Sequence, residues 1–105
     1  MNDVLVICKG TTGQSKAFQK FMGEYIVKEN LPINWVYANE NQYLNEISTK
    51  DIKMVLISPE VLFVEAKIKA ELDSKDIKYI SIKPTAFGLR QTEKFMPEVK
   101  SILGI

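Results

Sequence analysis

The chain reads as an α/β protein: a three-layer sandwich in which a four-stranded parallel sheet, of strand order 2-1-3-4, carries helices on both faces. Three observations predict it. Short aliphatic or β-branched runs at Asp3–Cys8, Ile33–Ala38, Ile52–Ser58 and Ile77–Ile82 alternate with longer stretches of helical periodicity. Val4–Ile7 and Met54–Ile57 are unbroken apolar runs, as strands covered on both faces require. Right-handed crossovers then place the first strand in the interior of the sheet, with the more mixed Ile33-Asn34-Trp35-Val36-Tyr37 at an edge.

Each element follows from its own pattern. After strand one, Phe18, Phe21, Met22, Tyr25 and Ile26 recur at three and four residues and give a helix one buried stripe. Trp35 is read as packing on the outer second strand. Asn39–Ile47 is a weaker helix with Tyr43, Leu44 and Ile47 on one side, and Glu60–Leu72 carries Leu62, Val64, Ala66, Ile68 and Leu72 among charges. Thr92–Leu103 places Phe95, Met96, Val99, Ile102 and Leu103 on one face, with Pro97 expected to start or kink that helix.

The 105 residues, read as one domain over 1–105, suffice for a single core without disulfide or metal. A net charge of +1 with interspersed lysines and glutamates argues against a nucleic-acid footprint. One cysteine excludes an intrachain disulfide and a Cys-rich zinc site, and fits a reducing compartment. No run approaches the roughly 18 apolar residues of a membrane span. Met1-Asn2-Asp3 opens no signal peptide, so the expected location is the cytoplasm, without direct membrane insertion.

The chemistry concentrates at the end of strand one, in Cys8-Lys9-Gly10-Thr11-Thr12-Gly13-Gln14-Ser15. Open α/β sheets collect ligands at the carboxyl ends of their strands, where strand order reverses. With order 2-1-3-4 that point lies between strands one and three. Residues 9 to 15 contain no proline, so each offers an N–H, and Gly10 and Gly13 let several converge on one anion. The hydroxyls of Thr11, Thr12 and Ser15 add donors. Beside them and the positive end of a helix, the Cys8 thiol is expected to ionise readily. The chain has no histidine for a cysteine-protease dyad and lacks the Gly-Lys-Ser/Thr of a P-loop. A thiol oxidoreductase lacks its resolving cysteine.

With Cys8 and its loop, Ile57-Ser58-Pro59-Glu60-Val61 after strand three, and Ile82-Lys83-Pro84-Thr85-Ala86-Phe87-Gly88 after strand four, the chain resembles the IIB component of the bacterial sugar phosphotransferase system, lactose/cellobiose type. The resemblance spans nearly the whole chain. It implies a cytosolic phosphocarrier, a protein-phosphocysteine–sugar phosphotransferase that needs no cofactor or metal. Cys8 would take a phosphoryl group from a phosphohistidine on the IIA component and pass it to a sugar held by the membrane IIC component. Lys9, Gly10, Thr11, Thr12, Gly13, Gln14 and Ser15 would bind the phosphate. Pro59, Val61, Leu62 and Phe87 would form an apolar rim for the partners, with Lys9 steering.

Lys9 and Gln14 are atypical of that family's loop, and Glu60 replaces its usual Gln, which puts a carboxylate close to the expected phosphate. These departures leave an alternative, a non-catalytic regulatory or binding domain that keeps the fold. The loop is also similar to that of low-molecular-weight tyrosine phosphatases, but their phosphate-clamping Arg is Gln14 here, which argues against hydrolysis.

Overall fold

A computed structural model describes residues Met1–Ile105. Four parallel strands, β1 (Asn2–Ile7), β2 (Ile33–Ala38), β3 (Ile52–Ile57) and β4 (Tyr79–Ser81), form one sheet in the order β2-β1-β3-β4. The expected order is therefore the observed one. Helices α1 (Gly13–Lys28), α2 (Tyr43–Thr49), α3 (Glu65–Ser74), α4 (Pro84–Gly88) and α5 (Met96–Leu103) cover it, with 3₁₀ segments at Pro59–Val64 and Thr92–Lys94. No helix is long and apolar enough to cross a membrane.

The period of two along the central strands divides the core into two layers. Val4, Val6, Cys8, Met54 and Leu56 face Phe18 and Met22 of α1, Ala86 and Phe87 of α4, and Met96 and Val99 of α5. Leu5, Ile7, Val55 and Ile57 face Tyr43 of α2, Val61, and Ile68 and Leu72 of α3. Because β1 pairs on both sides, Val4 to Ile7 have no solvent exposure, whereas the edge strand β2 keeps half-buried positions. Trp35 leans on the first layer and donates its indole N–H to the Met22 carbonyl at 2.9 Å, the expected packing role.

Four segments depart from their sequence patterns. The helix expected over Asn39–Ile47 is α2, which begins only at Tyr43, and Thr92–Leu103 is divided into the 3₁₀ segment Thr92–Lys94 and α5. The stretch from Glu60 is not one helix: a 3₁₀ segment with a kink at Val61 (φ −110°, ψ 24°) precedes α3. Pro59, fixed at the first turn behind the Ser58 cap, starts that tighter segment. Ile82–Gly88, read only as a loop motif, contains the short helix α4, again opened by a proline, Pro84. Pro97 lies in the first turn of α5 and starts that helix.

Candidate functional site

The register of the two central strands builds the site. Ile7 pairs with Ile57, and the Ser58 N–H donates to the Ile7 carbonyl at 3.0 Å. Cys8 and Ser58 therefore leave the sheet side by side, and the loops that follow them meet at its carboxyl edge.

The first of these loops is shaped by Gly10 and capped by Thr12. Gly10 has φ +84°, a left-handed conformation that a side chain would strain. Its N–H donates to Ser15 Oγ at 2.9 Å, while Thr12 Oγ1 accepts from the Ser15 N–H at 3.0 Å as the cap of α1. The amides of Thr11, Thr12, Gly13 and Gln14 make no hydrogen bond within the chain.

Into this arrangement comes the Glu60 carboxylate. Its Oε1 accepts the Lys9 N–H at 3.1 Å and the Ser15 hydroxyl at 2.5 Å, and its Oε2 accepts the Thr12 hydroxyl. One anion thus takes three donors at the start of a sixteen-residue helix whose first turn holds no acidic residue of its own. Burial alone would raise the Glu60 carboxyl. The hydrogen bonds from Ser15, Thr12 and Lys9, with the Lys9 charge, outweigh it and hold the group below its ordinary value.

Cys8 is 1% exposed and belongs to the first core layer. Burial pushes its thiol above the ordinary value, and the Glu60 charge pushes in the same direction. Ser15, Gln19 and the Gly10 N–H favour the thiolate without cancelling them. The easily ionised thiol expected from the loop is thus corrected: burial in the first core layer, reinforced by the Glu60 charge, outweighs the donors that reach the sulfur. Gln19, nearly two turns into α1, approaches the sulfur with its amide nitrogen at 3.9 Å.

The expected site residues divide into three groups. Cys8, Lys9, Gly10, Thr12 and Ser15 are brought together by hydrogen bonds or shared surroundings. Thr11, Gly13 and Gln14 lie exposed on the outer side of the same loop, with Gln14 against Gly88 of α4. Of the proposed rim, Pro59 is half-buried and Leu62 is 64% exposed, but Val61 and Phe87 are not surface residues. Val61 is turned into the second core layer by the 3₁₀ segment. Phe87 stacks on Phe18 with ring centroids 4.6 Å apart, because α4 packs on α1. Their assignment to a docking rim is corrected to core.

Three neighbours were not singled out by sequence reasoning as site residues. Phe63 is 68% exposed beside Leu62, and the Lys9 ammonium lies 5.7 Å from its ring centroid. Tyr37 reaches the Cys8 environment from β2: its buried hydroxyl has no hydrogen-bond partner, and burial, with the Cys8 charge, raises it far above the ordinary value. Gln19 is the third, one helical turn beyond Ser15. The i, i+4 spacing of Ser15 and Gln19 was a readable signal for Gln19; nothing local in the sequence marks Tyr37.

No protein-family model matches the chain, and no curated protein matches it in sequence.

Proposed function

We propose that the protein is a phosphocarrier of a sugar phosphotransferase system, with Cys8 as the residue that is transiently phosphorylated. The observation that carries this reading is the Glu60 carboxylate, whose acceptance of a main-chain N–H and two hydroxyls supports the loop after Cys8 as a seat for an anion. A phosphoryl group on the sulfur would find the same donors, together with the loop amides that have no acceptor in the chain.

Acceptance is an in-line displacement. The Cys8 sulfur attacks phosphorus, an S–P bond forms and the P–N bond of the donor phosphohistidine breaks. The electron pair of that bond returns to the imidazole nitrogen, which ends with the proton given up by the thiol. In the second half a sugar hydroxyl attacks phosphorus, the S–P bond breaks, and the sulfur recovers an electron pair and a proton. Loop donors stabilise charge on the equatorial oxygens in both halves, so the chemistry rests largely on positioning and fixed dipoles. The partners of this scheme are a IIA-type donor and a sugar-loaded membrane component.

Incubation with phosphoenolpyruvate, the general phosphotransferase proteins and a IIA donor should leave one phosphate on Cys8, and none on Cys8→Ser. Label retained in Cys8→Ser rules out the relay through sulfur. A second reading, a regulatory domain that keeps the fold without transfer, is favoured by the burial of Cys8 and its raised thiol. An unlabelled wild-type protein, beside a donor that phosphorylates its own acceptor, would select it.

A further inference from the structure

Every donor that Glu60 engages is one that the phosphorylated site would need. The Lys9 N–H, the Thr12 hydroxyl and the Ser15 hydroxyl all end on one carboxylate, and Ser15 is wholly buried, so water does not compete for its hydroxyl. Glu60 is delivered there from a different loop, on the 3₁₀ segment whose first turn is locked by Pro59 and by the Ser58 cap on the Glu60 N–H (3.3 Å). The carboxylate also lies near enough to Cys8 for its charge to act on the sulfur. A phosphoryl group on Cys8 would carry close to two negative charges at neutral pH. Two anions cannot share three donors without strong repulsion.

We infer that Glu60 is an internal competitor for the anion seat of Cys8: its side chain closes the resting site, must swing out before a phosphoryl group can be seated, and thereby biases the carrier toward the unphosphorylated form. The inference rests on the phosphocarrier reading for its consequence, but the competition itself is a property of the loop. Glu60 sits two and three residues before Leu62 and Phe63, an exposed apolar pair of which Phe63 lies under Lys9. Its departure from the seat moves a carboxylate beside them, so a docking protein meets a different charge distribution in the charged and uncharged states.

The test is binding of inorganic phosphate at neutral pH, followed through the amide resonances of Lys9, Gly10 and Ser15, in wild type, Glu60→Gln and Glu60→Ala. Glu60→Gln keeps the shape and removes the charge; Glu60→Ala empties the seat, and either suffices if the other fails to fold. The expected result is binding tighter than wild type by about tenfold or more, the worth of one charge-assisted hydrogen bond. Affinity equal to that of wild type in the folded variants, or no response of these amides in any of the three proteins, overturns the inference. Phosphoryl transfer is assayed on the same samples, where the equilibrium constant for phosphocysteine formation should rise by a similar factor. Tighter phosphate binding without transfer in any variant leaves the competitor standing and removes the phosphocarrier reading alone.

Discussion

Cys8 and Glu60 hold opposite positions on the proton scale, and the reasons are local. The thiol is raised first by burial and then by the neighbouring carboxylate; the carboxyl is lowered because its hydrogen bonds outweigh its own burial. A thiol raised in the folded state keeps its proton longer than in the unfolded chain. Its contribution to stability is therefore complete below the ordinary thiol value of about 8.5 and is lost as pH rises through the folded value. A lowered carboxyl contributes above the ordinary value of about 4.3 and loses that contribution as pH falls through the folded one. Urea midpoints across pH should show a plateau between these limits and a decline on each side. In Glu60→Gln the Glu60 part of the acid decline should vanish, and the midpoint of Cys8 alkylation by iodoacetamide should move to lower pH. An unmoved alkylation midpoint would show that the Glu60 charge does not reach the sulfur.

Among the elements, the 3₁₀ segment Pro59–Val64 has the largest consequence for the site. A regular helix begun at Glu60 would repeat every 3.6 residues and put Val61, Val64 and Ile68 along one stripe, at spacings of three and four. The tighter turn and the kink at Val61 keep Val61 buried and turn Leu62 and Phe63 outward. Leu62→Ser and Phe63→Ser should each leave thermal stability within about 0.5 kcal/mol, since neither side chain is packed. If these residues receive the donor protein, each should slow phosphoryl transfer from it by about tenfold or more. A normal transfer rate in both removes the segment from the docking surface. The apolar spacing of Glu60–Leu72 was legible as helical, and α3 is indeed there. The break before it was not, because it depends on how Val61 meets the second core layer. The same applies to α4: five residues after a proline carry too little periodicity to announce a helix, and packing on α1 supplies what the pattern lacks.

The fold as a whole is held by its interior strands. Leu5 is fully buried on β1 and packs in the layer with Ile7, Val55 and Ile57. Leu5→Ala should cost about 2–5 kcal/mol in urea unfolding, from lost burial and an incompletely filled cavity. Val27→Ala, at a residue 79% exposed on α1, should change stability by no more than about 0.5 kcal/mol. Equal costs for the two would mean that the central layer is not where stability resides.

The alternation of apolar runs and helical stripes was enough to yield the sheet, its order and the position of Cys8 at the carboxyl end of an interior strand. Periodicity and crossover handedness are properties of the chain read in line, and they leave few arrangements open. The Thr12–Ser15 cap and the turn at Gly10 are equally local. That Glu60, 51 positions beyond Lys9, would close its carboxylate over this loop depends on the β1–β3 register and on the turn after Ser58. Charge, burial and hydrogen bonding at the sulfur follow from that approach. They are set by groups distant in sequence, and only packing brings those groups within reach of one another.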